Sequence, residues 1–168
     1  LSDCRRALER EPSSAEAHLT LNSILYGLGR YEEALKAVEK AIELRSDFAE
    51  AYLDKALTLL KLDKPKEALE SVNKAIELKP DLAEAYYSRA RVWIELGQPM
   101  KALEDANRAI ELKPDFALAY NIRAQARRML GQYEDALKDF NKAIELQPNL
   151  AEPYYNRALV WLKLGQLD

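Results

Sequence analysis

Two side chains here are reactive enough to suggest catalysis: a single cysteine, Cys4, and a single histidine, His18. Together they are the raw material of a thiolate–imidazole nucleophile, which needs sulfur and ring within hydrogen-bond reach. Their positions argue against it. Cys4 takes the place that Val38, Val72, Ala106 and Phe140 hold in other copies of a repeated segment, and His18 the place of Tyr52, Tyr86, Tyr120 and Tyr154. Both are packing positions, and they belong to different copies, so a structural role is expected for each. No Cys/His cluster offers zinc ligands. All five glycines lie at or next to expected helix ends, not in a phosphate-cradling loop. The carboxylates are plentiful but follow the repeat, as caps and surface charges do. Neither catalysis nor a metal or cofactor is expected.

A charged series also recurs in step. Lys55, Arg89, Arg123 and Arg157 share one position, and Asp105 and Asp139 another. Read functionally, the cations form a basic ladder for an acidic ligand. The preferred reading is structural, with Arg123 and Arg157 pairing with Asp105 and Asp139 across repeat boundaries through bidentate guanidinium–carboxylate bonds.

These residues are positioned by a period of 34. Ala49–Tyr52 returns with small changes at Ala83–Tyr86, Ala117–Tyr120 and Ala151–Tyr154, and the segments ending at Phe48, Leu82, Phe116 and Leu150 repeat in register. Such a period means one supersecondary unit copied along the chain. Four full copies span 15–48, 49–82, 83–116 and 117–150; residues 1–14 match a second half and residues 151–168 a first half, as expected of one array cut from a longer chain. Leu1 aligns with Leu35 and Leu69, and Asp168 with Glu134. We number the slots of each copy from Ala15, Ala49, Ala83, Ala117 and Ala151.

Each copy reads as two helices. In 83–96, Tyr86, Ala90, Trp93 and Gly97 recur at spacings of three and four, one helical face. Gly97 closes that helix, as Gly29, Gly131 and Gly165 close theirs, by supplying a left-handed turn; Asp63 stands there in the second copy and suits the turn less well. Pro65 and Pro99 open the next helix, where the missing N–H is harmless. Its face runs through Ala102, Ala106, Ala109 and Ile110, and it stops near Pro114. Ser13, Asp47, Asp81 and Asn149 each precede a Glu by three residues, the pattern of a capping box, and Asp115 lacks that partner because Leu118 holds the Glu slot. Lys40/Glu43, Lys74/Glu77, Arg108/Glu111 and Lys142/Glu145 are expected to pair on a solvated face.

The length of the repeat, its paired helices, the small residues at Ala90, Ala102 and Ala109, the aromatics at Tyr86 and Trp93 and the closing Pro114 together resemble the tetratricopeptide repeat. The resemblance covers essentially the whole chain. It implies an all-α, right-handed superhelical solenoid of antiparallel helix pairs, with first helices lining a concave groove. Two departures put local packing in question: Asn22 stands in the slot of Ala56, Ala90, Ala124 and Ala158, and Arg127 in that of Trp93 and Trp161.

The same resemblance implies a protein-interaction scaffold that holds a peptide or partner segment in the groove. Candidate contacts are Leu53, Leu57, Leu60 and Tyr87 as an apolar patch, Arg91, Asn121, Gln125 and Arg128 as a polar, mildly basic section, and Tyr155, Asn156 and Leu159 further on. The matching ligand is an extended or helical peptide with apolar anchors and an acidic or carboxamide-rich stretch. Members of the family that grip chaperone carboxylate tails use Lys and Asn at the fifth and ninth slots. Here those slots read Leu19/Ser23, Leu53/Leu57 and Tyr87/Arg91, and only Asn156 matches that pattern in type, so a chaperone-tail clamp is disfavoured. A structural spacer, or a regulatory region of a larger protein, is the alternative. The last helix exposes Tyr154, Ala158, Trp161 and Leu164, which points to end-to-end self-association.

Composition agrees. Hydrophobic residues make up 48% and charged residues 32%, with a net charge of −3. That balance provides no concentrated basic footprint for nucleic acid, and no apolar run is long enough for membrane insertion. One cysteine builds no disulfide framework.

Overall fold

The computed structural model describes residues 2–165; Leu1 and Asp168, which helped to align the partial copies, lie outside the described residues. Ten helices run in order: α1 (Ser2–Arg10), α2 (Ala15–Gly27), α3 (Tyr31–Leu44), α4 (Ala49–Lys61), α5 (Pro65–Leu78), α6 (Ala83–Glu95), α7 (Pro99–Leu112), α8 (Ala117–Met129), α9 (Tyr133–Leu146) and α10 (Ala151–Leu164). The described residues contain no strand. The chain divides between Pro80 and Asp81 into two compact units, unit 1 before that point and unit 2 after it. In unit 1, α2 pairs with α3 and α4 with α5, while α3 packs on α4 and α2 on α4. Unit 2 repeats the scheme: α6 pairs with α7 and α8 with α9, α7 packs on α8 and α9 on α10, and the first helices α6, α8 and α10 touch in sequence.

Small residues make this stacking possible. Ala34, Ala68, Ala102 and Ala136 share one slot, Ala41, Ala75, Ala109 and Ala143 another, and all are fully buried. A methyl group is all that fits where two helix backbones close up, and a larger side chain would force both apart. Asn22, in the slot of an alanine, is buried as well. Its amide donates to Ala34 O at 3.0 Å and to Thr58 Oγ1 at 3.2 Å, so the buried group keeps its partners.

The turns follow from backbone sterics. Gly97 sits at φ 67° and the chain closes with Gln98 N–H donating to Trp93 O at 2.9 Å. Asp63 adopts the same left-handed conformation, φ 57°, with Lys64 N–H donating to Leu59 O at 2.9 Å. The turn therefore forms without glycine, at the steric expense a Cβ incurs there. Asp63→Gly is expected to raise stability by about 0.5–1 kcal/mol, read as a higher urea midpoint; an unchanged or lower midpoint refutes it.

The capping pattern read from the sequence needs correction. The N-caps of α4, α6 and α10 are Phe48, Leu82 and Leu150, none of which makes a side-chain cap bond. Asp47, Asp81 and Asn149 lie one residue too early. At α2 the cap is Ser14, not Ser13, and its side chain accepts from Ala17 N at 3.2 Å. An apolar residue at the other caps packs instead: Phe116, which caps α8, is buried with Ala83, Ala109 and Ala119.

Candidate functional site

Cys4 is buried, and its thiol donates weakly to Ala17 O at 3.5 Å. His18 bonds through Nε2 to Pro12 O at 3.0 Å. Tyr120 and Tyr154 do the same with Pro114 O and Pro148 O at 3.3 and 3.2 Å, so the imidazole stands in for a tyrosine that ties a first helix to the turn before it. Sulfur and ring are thus committed to different carbonyls. Among the described residues no group of three or more His, Cys, Asp or Glu could hold a metal, and no helix is long and apolar enough to cross a membrane.

The arginines pair, but within repeats. Arg89 donates to both oxygens of Asp105 at 2.7 Å, and Arg123 to both oxygens of Asp139 at 2.7 and 2.8 Å. The expected pairing across boundaries is corrected to one between the two helices of one copy. The bond that does cross a boundary goes to an amide: Arg123 to Asn107 Oδ1 at 2.9 Å and Arg157 to Asn141 Oδ1 at 2.7 Å. In unit 1, Lys55 reaches Glu39 at 3.0 Å, the same slot as those asparagines. Hydrogen bonding to Asp105 and Asp139 pushes the guanidinium pKa of Arg89 and Arg123 above its ordinary value, so each is held charged. Tyr86, Tyr120 and Tyr154 lie beside Arg89, Arg123 and Arg157, 5.2–5.5 Å from guanidinium carbon to ring centre. Trp93 Nε1 also donates to Asp105 at 3.0 Å, and Arg127, in the tryptophan's slot, donates to Asp139 at 2.7 Å. Each residue serves the buried acid of its own repeat, which is why the departure at Arg127 leaves that acid partnered.

The second-slot glutamates have a partner that the sequence reading missed. Glu16 bonds Arg45, Glu50 bonds Lys79, and Glu84 bonds Lys113 at 3.1 Å. Each joins the start of a first helix to the end of its second helix. The signal was present: where Leu118 replaces the Glu, Gln147 replaces the base. The bond from Lys79 holds the Glu50 carboxyl below its usual range.

The candidate groove residues fall into distinct settings. In unit 1, Leu53 is buried, while Leu57 and Leu60 are half-buried. Ser23 Oγ reaches Asp54 Oδ2 at 3.4 Å, so the ninth slot of α2 meets the sixth slot of α4 across the seam between first helices. A hollow of about 120 Å³ opens there, lined by Asn22, Ser23, Tyr26, Asp54 and Leu57. In unit 2, Tyr87 packs on Phe116 with ring centres 5.2 Å apart, and Arg91 lies 5.8 Å from the Tyr87 ring centre. Asn121 and Asn156 are buried. Leu53, Asn121 and Asn156 are therefore withdrawn from solvent and do not form an open face. Gln125 donates to Glu152 at 2.9 Å. Arg128 is half-buried, and neither its Nε nor Asn121 Oδ1 has a partner. Leu159 is half-buried and Tyr155 is 67% exposed.

Helix pairs of this build are found in known structures. TTC0263, a thermophilic TPR protein in Thermus thermophilus, matches with a TM-score of 0.85 at 25% identity, over 91% of this chain and 84% of that one. YrrB, described as a TPR protein with an unusual peptide-binding site, matches with a TM-score of 0.70 at 25% identity, over 98% and 85%. The first TPR of Spaghetti (RPAP3), bound to the HSP90 peptide SRMEEVD, matches with a TM-score of 0.65 at 27% identity, over 70% and 93%. No curated protein matches the chain. Models described as tetratricopeptide repeat match residues 3–47, 23–83, 83–116 and 106–138, and one described as TPR repeat matches 124–165. With those matches running from residue 3 to residue 165 along successive helix pairs, the chain belongs to the tetratricopeptide-repeat family.

Proposed function

We propose that this chain is a non-catalytic scaffold that binds an acidic segment of a partner protein on the first-helix face of unit 2. One observation carries the reading. Of the seven arginines in unit 2, Arg89, Arg108, Arg123, Arg127 and Arg157 are each engaged by an Asp, Glu or Asn of the unit. Arg91 and Arg128 have no carboxylate partner among the described residues, and they occupy the ninth and twelfth slots of α6 and α8. Guanidinium groups without a carboxylate partner, that of Arg91 beside the Tyr87 ring, suit a carboxylate-bearing peptide, to which they can make charge-assisted bonds. Two structural neighbours are described by a peptide-binding site or a bound peptide, which supports the class of ligand. The chaperone-tail clamp itself is not proposed, because Lys and Asn are missing from the fifth and ninth slots that family members use for it.

Selection of random peptides displayed on phage against the folded chain tests this. Acidic peptides are expected to be enriched, with binding that weakens as salt rises. Arg91→Ala and Arg128→Ala should each reduce affinity about tenfold or more, the scale of a lost charge-assisted hydrogen bond, while Lys138→Ala, on the exposed surface of α9, should not. Peptides that bind both arginine variants as well as the wild type would overturn the reading. A second reading rests on α10, where Tyr155 and Leu162 are 67% and 57% exposed and Tyr154 and Trp161 are also open. Such a patch suits a second copy of the chain. Sedimentation that grows with concentration, and that Leu162→Ser abolishes, would favour this reading over the peptide.

A further inference from the structure

We infer that the hollow between α2 and α4 in unit 1 is a subsite for one lysine side chain of a partner segment, with the ammonium group against Asp54 and the methylene stem along Leu57 and Tyr26. It rests on the reading that the first-helix face is the partner-binding face, but it uses a different unit and the opposite charge. The hollow measures about 120 Å³, room for a side-chain head and not for a folded element.

Asp54 is half-buried and has no cation paired with it among the described residues. Asp105 and Asp139 hold bidentate arginines, and Glu16, Glu50 and Glu84 hold cations. Among the described residues the Asp54 carboxylate has only the long 3.4 Å bond from Ser23 Oγ, whose proton is shared with Leu19 O at 3.2 Å. Burial raises its pKa, although the Ser23 bond works against the shift, so its charge is poorly solvated where it stands. Packing does not require an acid at this slot, which reads Thr20, Asp54, Ser88, Ile122 and Asn156 along the chain.

The acceptors around the hollow suit an ammonium. Asn22 spends its amide N–H groups on Ala34 O and Thr58 Oγ1, which leaves Oδ1 as its acceptor. With Ser23 Oγ and the Asp54 carboxylate, three side chains offer oxygen to the three donors of a lysine. These acceptors sit on three separate side chains, an arrangement that suits the three rotatable donors of a compact ammonium better than the planar fork of an arginine. Tyr26 is braced edge-on by Tyr31, ring centres 5.4 Å apart, and supplies a wall on which a cation is favourably placed.

The whole chain, labelled with 15N, would be titrated with Nα-acetyl-lysine methylamide and with the norleucine and arginine analogues. Saturable shifts are expected at the amides of Ser23, Asp54 and Leu57 with the lysine probe. Binding should be about tenfold weaker with norleucine and with the Asp54→Asn chain, as for loss of one charged partner. Asp54→Asn should fold: a raised carboxyl pKa means that ionisation disfavours the folded state, so the amide should melt no lower than the wild type at pH 7. That advantage should vanish as pH falls below the usual aspartate range, where both side chains are neutral. Ser23→Ala, which removes one acceptor, gives a second reading of the same site and should also weaken the lysine probe. No shift, equal shifts with norleucine, or tighter binding of arginine would each overturn the inference. A silent titration together with intact Arg91- and Arg128-dependent peptide binding would remove the lysine subsite alone; the reverse result would remove the acidic-segment reading alone.

Discussion

Replacing Asp139 by Ala is expected to destabilise unit 2 by about 3–5 kcal/mol, the range for removing one partner of a buried ion pair. Asp139 is 3% exposed and accepts from Arg123 through two nitrogens and from Arg127 through a third. Without it, two guanidinium groups lose their nearest counter-charge at once. The guanidinium side chains are themselves 18% and 23% exposed, so some solvation is recovered and the lower end of that range is expected. Arg127→Trp should be far milder, because Trp93 in the same slot already donates to the matching acid, Asp105. Urea unfolding followed by circular dichroism measures both. A loss under about 1 kcal/mol for Asp139→Ala would place the pair with weak surface salt bridges and contradict its structural role.

Phe140→Ala should cost a similar amount, about 3–5 kcal/mol, by a different mechanism. The ring is fully buried among Ala124, Ala136, Leu137 and Val160, on α8, α9 and α10. Removing it deletes apolar contact and leaves a cavity that helices pinned by alanine contacts cannot easily close. Val38, Val72 and Ala106 hold the same slot in other repeats, so the position accepts several sizes, each matched to its own surroundings. Hydrogen exchange should locate the loss in α8, α9 and α10, since repeats are stabilised chiefly by nearest neighbours. Unchanged protection there, with an unchanged urea midpoint, would show that the ring is not what fills this junction.

Local features were the most legible in the sequence. The glycine turns, the proline starts of α5 and α7 and the i,i+3 pairs such as Lys40–Glu43 at 2.8 Å all depend on residues within one turn or loop. The capping box was misread for a physical reason. A polar residue followed by Glu three later satisfies two different demands, and here the Glu answers a base 29 residues away. The covarying change to Leu118 and Gln147 marks that pairing, but only once slots at opposite ends of a repeat are compared.

Of the candidate site, the slots and residue types were readable, and the exposure was not. Leu53, Asn121 and Asn156 share a sequence pattern with Leu57, Gln125 and Leu159, yet the first group is buried and the second half-open. The sequence alone determined the 34-residue unit, its two helices and the family, because periodicity and turn chemistry are properties of neighbours along the chain. Which oxygen each arginine takes, which arginines keep none, and that Asp54 stands beside a hollow without a cation were decided only by tertiary structure. Slots 16 residues apart in one repeat and 18 apart between repeats are equally compatible with pairing in sequence. Only the packed geometry brings Asp139 to 2.7 Å from Arg123, gives Asp105 to Arg89 instead, and leaves the contact across the boundary to Asn107.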